Sequence, residues 1–150
     1  MKPEIYFEDF KVGDVIELEG PELGEDEIIE FAKRYDPQPM HIDPAAPTIY
    51  GGGIIASGWQ TAAYCMRLIC DAYLTRAASL GSPGMEKIRW HKPVRPGDAL
   101  RLRMTVKRTR ASRSKPDRGV VLHDWEVFNR TNELVMTMRG YGMFLRRSTP

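Results

Sequence analysis

The sequence predicts an α+β fold in which an antiparallel sheet wraps around one long helix. Three observations carry that prediction. Apolar residues recur at helical spacing from Ser57 to about Ser79, alternation of period two dominates from Met85 onwards, and Gly81-Ser82-Pro83-Gly84 separates the two textures. A helix with one apolar stripe, followed by strands with one apolar face, buries both by packing one on the other.

The elements follow in order. Residues 3–20 read as an irregular lead-in and a short strand, Val15-Ile16-Glu17-Leu18, set off by a turn at Gly13-Asp14. A short helix is expected from Gly24 to Tyr35. Glu25, Asp26 and Glu27 complement the positive end of its dipole, and Ile28, Phe31 and Ala32 form its apolar stripe. The Asp36-Pro37 step forbids its continuation. Residues 36–56 then form a loop rich in proline and glycine, and loops of that length in compact domains are usually functional or mobile.

The long helix has Ser57 as its expected N-cap and Trp59, Ala62, Ala63, Met66, Ile69, Cys70, Tyr73 and Ala77 as its stripe, over about 30 Å. Strands are expected at 85–93, 99–110, 119–129 and 134–145. Pro96-Gly97-Asp98, Lys115 to Gly119 and Thr131-Asn132-Glu133 make the turns between them. In the second strand Leu100, Leu102, Met104 and Val106 alternate with Arg101, Arg103, Thr105 and Lys107, the pattern of a strand with one wet face.

Size and composition narrow the possibilities. At 150 residues the chain is read as one domain, residues 1–150, long enough to close a core without metal or disulfide. A net charge of +2, with charges of mixed sign, does not imply nucleic acid. No apolar run approaches a membrane span and no secretory leader is visible, so a cytoplasmic protein is expected. Cys65 and Cys70 match no metal or redox spacing and read as free thiols.

The residues best suited to chemistry lie in Tyr35-Asp36-Pro37-Gln38-Pro39-Met40-His41-Ile42-Asp43-Pro44. Prolines at 37, 39 and 44 stiffen this segment and keep it from being the interior of an ordinary helix. A carboxylate and an imidazole on stiff backbone, Asp36 and His41, suit the holding and polarising of one water. The alternative is a turn aspartate and a solvated histidine.

Tyr50-Gly51-Gly52-Gly53-Ile54-Ile55-Ala56-Ser57-Gly58-Trp59 follows, where glycine lets backbone approach a ligand and the next helix offers free N–H groups. Those donors suit an oxygen that gains charge in a transition state. The run matches neither a dinucleotide nor a P-loop fingerprint. A third feature is the basic cluster of Arg101, Arg103, Lys107, Arg108, Arg110, Arg113, Lys115 and Arg118. It reads either as a solvated strand face or as a landing surface for the phosphorylated tail of a cofactor such as coenzyme A. Single-stranded nucleic acid would need interleaved aromatics, which are missing there. His91 and His123 read as packing or surface residues, and no metal site is expected.

Together these residues resemble the MaoC-like dehydratases, the family that includes the (R)-specific enoyl-CoA hydratases and adopts the hot-dog fold. The family's Asp-x-Asn-Pro-x-His-x-Asp motif corresponds to Asp36 to Asp43, with Gln38 where asparagine is usual. The glycine-rich run into Ala56-Ser57-Gly58 looks like its lead into the central helix, with Ser57 where many members carry histidine. Ile88 to Leu100 resembles its strand–Pro-Val-x-Pro-Gly-Asp–strand signature.

The resemblance implies that Asp36 and His41 activate water for addition across an α,β-unsaturated acyl thioester. The thioester oxygen would be held by the Gly58 N–H, with help from Ser57. Ile55, Trp59 and Tyr64 would line the acyl pocket or fill the core, and Arg101, Arg103 and Lys107 would meet the coenzyme A tail. No cofactor is implied beyond the coenzyme A of the substrate, and sheet-joined homodimers are implied as the assembly. Two other classes stay open: a hot-dog thioesterase, whose central-helix version is disfavoured because residues 57–70 hold no Asp or Glu, and a non-catalytic acyl-CoA-binding module.

Overall fold

A computed structural model describes residues 2–148. Five strands form one antiparallel sheet: β1 (Val15–Glu22), β2 (Met85–Trp90), β3 (Ala99–Ala111), β4 (Arg118–Phe128) and β5 (Leu134–Leu145), in the spatial order β1-β3-β4-β5-β2. Three α-helices accompany it: α1 (Glu25–Tyr35), α2 (Pro39–Ile42) and α3 (Gly58–Ala72). This is the predicted α+β arrangement, a hot-dog fold with α3 held by the sheet. Among the described residues no helix is long and apolar enough to cross a membrane.

The alternation read in the sequence sets the layer. Leu100, Leu102, Met104 and Val106 of β3 are buried, while Arg101, Arg103 and Thr105 lie on the other face. Trp125 and Val127 of β4 and Met136 and Met138 of β5 join Leu100, Leu102 and Met104 in a core shared with Cys65 and Ile69 of α3 and Ile28 of α1, while Val106 packs with Val121 and Phe144. Fully burying one such aliphatic side chain stabilises by about 2 kcal/mol, so the layer rather than any single turn holds α3 in place.

Two expectations about the long helix are corrected. It ends at Ala72, about 22 Å from its start, and not near Ser79. Thr75 Oγ1 donates to the Cys70 carbonyl and Arg76 to the Ala72 carbonyl, which satisfies the last turn. Residues beyond it leave the helix to bridge Ile5 and Phe144 from Ala77 and Ser79. The buried face also differs from the apolar stripe. Trp59 is 58% exposed, whereas Gln60 and Thr61 are buried with Cys65 and Ile69. Ser57 is turned fully inward at the helix start, and this fixes 57, 61, 65 and 69 as the inner row.

The segment expected to be stiff loop contains α2, a single helical turn. Pro39 stands at its first position, where the missing N–H costs nothing and the fixed φ favours the helix.

Candidate active site

Asp36 sits where α1 stops, and its backbone N–H closes that helix on the Ala32 carbonyl. Its carboxylate is held on both oxygens. Gln38 Nε2 donates to Oδ1 and Ser57 Oγ donates to Oδ2, each at 2.7 Å. These two bonds, Gln38 first and Ser57 second, hold the carboxyl below the usual aspartate range despite partial burial, and the nearby His41 adds to the effect. The glutamine that stands where the resembled motif has asparagine is thus long enough to reach the Asp36 carboxylate. Ser57 also accepts the Trp59 N–H as N-cap of α3, so a single hydroxyl couples the helix start to Asp36.

His41 is 6% exposed, on the short α2 turn. Its Nδ1 lies 2.7 Å from the Ile55 carbonyl oxygen. A carbonyl only accepts, so Nδ1 carries a proton, and Nε2 is the ring nitrogen turned towards Asp36. That Nε2 is 3.4 Å from Asp36 Oδ2. Ile55 is fixed in turn by its N–H on the Met40 carbonyl, and Ala56 by its N–H on the Val94 carbonyl. The loop that carries them is tied down by Arg95, which donates to the Gly52 carbonyl at 2.9 Å and to the Tyr50 carbonyl. Gly51 and Gly53 on either side adopt φ of +87° and +91°, backbone that only glycine adopts without strain.

Asp36 and His41 open onto a cavity of about 260 Å³. Met40, Ile55, Trp59, Trp90 and Val94 supply apolar wall, and Gly58 borders it with the first residue of α3. The N–H of a first helical residue has no intrahelical partner and is free for a ligand. Gly58 is needed for space as well. A Cβ there would lie 2.3 Å from the Trp90 indole, whose Nε1 donates to the Gly58 carbonyl at 3.0 Å. Trp59 and Trp90 meet edge to face at 5.3 Å.

The structure brings Asp36, His41, Ile55, Gly58 and Trp59 to one cavity and leaves other predicted residues out of it. Ser57 is fully buried, with its proton committed to Asp36, so it positions the carboxylate instead of facing the cavity. Tyr64 reaches away to the Pro21 carbonyl and packs against Gly20. Arg101 and Arg103 stand on the sheet face turned from α3, both paired with Glu17 of β1 and stacked over Phe128. Lys107 is on that same outer face, beside Asp124 and Arg139.

Trp90, Lys92 and Tyr50 belong to the cavity and were not named as site residues from the sequence, and Gln38, noted there as the departure from the motif, joins them. Trp90 and Lys92 lie at the end of β2, next to the Pro-Val-x-Pro-Gly-Asp segment, which was the available signal. Lys92, at the rim, is ion-paired with Glu133. Among the described residues no three His, Cys, Asp or Glu side chains gather as a metal site.

A family profile described as "MaoC like domain" matches residues 9–124. The chain belongs to that family. A MaoC-like dehydratase from Rhodospirillum rubrum, known as a crystal structure, is 34% identical and superposes with a TM-score of 0.86 over 97% of this chain and 99% of that one. The R-hydratase PhaJ1 from Pseudomonas aeruginosa, 23% identical, shares the fold with a TM-score of 0.73 over 95% of this chain and 87% of its own. Protein MaoC of Klebsiella aerogenes is 32% identical over 106 residues, 69% of this chain but 31% of that protein. The match therefore spans under a third of that curated relative. The family is of the hydratase and dehydratase kind, and in this MaoC-like chain an Asp36–His41 pair stands at the wall of the cavity of about 260 Å³.

Proposed function

We propose that this MaoC-like protein adds water to, or removes it from, an α,β-unsaturated acyl thioester of the enoyl-CoA type. The observation that carries the proposal is the convergence on one cavity of His41, held through Nδ1 so that Nε2 faces Asp36, a carboxylate at Asp36 held low in pKa, and the first-turn N–H of Gly58. Water held between Asp36 and His41 gives a proton to Nε2 as its oxygen bonds to Cβ of the substrate. The electron pair of the double bond moves onto the thioester oxygen, which the Gly58 N–H stabilises. His41, now protonated, returns the proton to Cα. The atoms of one water are then accounted for, and the reverse sequence is the dehydration.

Each carboxylate oxygen of Asp36 has accepting capacity beyond its present bond, so it can orient the water while holding Gln38 and Ser57. The cavity is of a size for a short acyl group, and Lys92 and Tyr50 stand at its border for the remainder of the thioester. A homodimer formed along the outer edge of β2 is part of the proposal. That edge carries the half-exposed Met85 and Trp90, and chromatography with light scattering measures the mass directly.

The test follows the absorbance of the conjugated thioester in a short trans-2-enoyl-CoA together with free thiol. Absorbance is expected to fall without thiol release. Asp36→Asn and His41→Ala are expected to lower turnover by roughly 10²-fold or more while leaving the circular dichroism of the parent. Thiol release would assign a thioesterase instead, and unchanged turnover in both variants would remove the pair from the mechanism.

A further inference from the structure

Residues 47–53 border the Asp36–His41 cavity through Tyr50 and lie between two buried anchors, Ala46 before them and Ile54 after. Between those anchors the segment is mostly exposed, with Ile49 91% and Tyr50 49% in solvent. Among the described residues it makes no backbone hydrogen bond to the rest of the fold. The Thr48 hydroxyl accepts the Tyr50 N–H, which ties the segment only to itself. Few buried contacts and no backbone ladder put such a segment at the low-stability end of a fold.

One side chain supplies the missing ties. The Arg95 guanidinium donates to the Gly52 carbonyl at 2.9 Å and to the Tyr50 carbonyl, and among the described residues it pairs with no carboxylate. Gly51 stands between those carbonyls at φ of +87°, which lets both turn to the same side. The backbone beneath Arg95 is stiff. Pro96 biases it to an extended conformation, and Asp98 Oδ2 accepts its N–H at 2.9 Å. The Gly97 N–H on the Leu23 carbonyl and the Leu23 N–H on the Asp98 carbonyl, each 2.8 Å, fasten that turn to the fold. A planar fork with two donors on a rigid base fixes direction as well as distance.

We propose that Arg95 is a positioning residue for the bound thioester, holding residues 47–53 as a flap that keeps Tyr50 against the ligand. The role rests on the thioester reading of the cavity. Arg95 itself stands outside the cavity wall, so it acts through Tyr50. It does not act through His41. The Ile55 and Ala56 N–H groups have their own partners in the Met40 and Val94 carbonyls, so the carbonyl that holds His41 stays in place when the flap is released. Apparent affinity scales with the fraction of time the binding form is present. A flap that holds Tyr50 in place for only about a tenth of the time therefore binds about tenfold more weakly.

Arg95→Met keeps the length of the stem and removes both donors. In the full chain, backbone ¹⁵N order parameters of Gly51, Gly52 and Gly53 are expected to fall from about 0.85 to below about 0.6, with Ile55 and Ala56 unchanged. Calorimetry with butanoyl-CoA, a saturated thioester that needs no hydration, should show about tenfold weaker binding in the variant. Arg95→Lys, a point charge without the fork, should fall between the two. A double variant separates positioning from plain structural support. In a Tyr50→Ala background Arg95→Met should cost no further affinity, whereas an arginine that only supports the fold would cost the same in both backgrounds. Unchanged order parameters, an unchanged affinity, or a loss undiminished in the Tyr50→Ala background would each overturn the proposal and leave the hydratase reading standing. A parent that binds no thioester would overturn both. Neither readout needs turnover, so the two readings fail separately.

Discussion

Ser57 shows how much one side chain does in this protein. Its hydroxyl donates to Asp36 and accepts the Trp59 N–H, so it holds a carboxylate and starts a helix at once. Ser57→Ala removes both. Loss of the cap should cost about 1 kcal/mol of stability in denaturant melts. Asp36, short of one donor to its charged form, should rise towards the ordinary aspartate range. The sign follows. The parent carboxyl is held low, so it stays ionised as pH falls through that range, and the acid limb of the rate profile should move to higher pH in the variant. Ser57→Thr keeps the hydroxyl and should keep the parent profile. An unmoved limb in Ser57→Ala would mean that Ser57 only caps the helix.

This role was partly legible beforehand. The N-cap followed from residue type and position, but the reach to Asp36, 21 residues earlier, needed the loop to fold back. His41 was likewise legible as a residue and not as a tautomer. Its Nδ1 proton is assigned by a backbone carbonyl 14 residues away, and nothing local to the motif points to it. Arg101, Arg103 and Lys107 were read from charge alone, and charge does not reveal on which face of a sheet a side chain stands or what it pairs with. Cross-strand pairing with Glu17 engages the first two on the outer face.

At the scale of elements, the close approach of α3 to β2 decides the shape of the site. Gly58 and Trp90 touch there, with the indole lying where a side chain would be. Gly58→Ala should therefore displace Trp90 and lower stability by about 1–3 kcal/mol, seen as a shifted melting midpoint. The edge-to-face contact of Trp90 with Trp59 should be disturbed with it, so tryptophan fluorescence should change in the native baseline. A variant as stable as the parent would show that the helix can slide without loss. The strand pattern anticipated the sheet closely, because one face is apolar on almost every second residue of β3. The helix face was less legible. Composition favoured Trp59 and Ala63, but the inward turn of Ser57 set the register and buried Gln60 and Thr61 instead.

Across the whole molecule, a neutral histidine inside the fold links stability to pH. His123 has its pKa lowered to about 4 by burial, whereas an unfolded chain binds that proton near the ordinary value of about 6.5. Between those values the unfolded state holds more protons, so stability should fall as pH drops from about 6.5 to about 4 and level off below. The full span amounts to roughly 3 kcal/mol for this group. His123→Leu should flatten that part of the curve in denaturant melts across pH, and an equally steep curve would place the linkage on another group.

The sequence by itself determined the layer architecture, the strand order of appearance along the chain and the Asp36–His41 pair, because periodicity and proline placement are local properties of the chain. Only the tertiary structure decided which nitrogen of His41 faces Asp36, that Ser57 and Gln38 serve Asp36, and that Trp90 shares the cavity. It also decided that Arg95 reaches the Tyr50 and Gly52 carbonyls. Each of these is a contact between segments far apart in sequence. Their geometry is set by how the sheet closes on α3, and the spacing of residues along the chain carries no record of it.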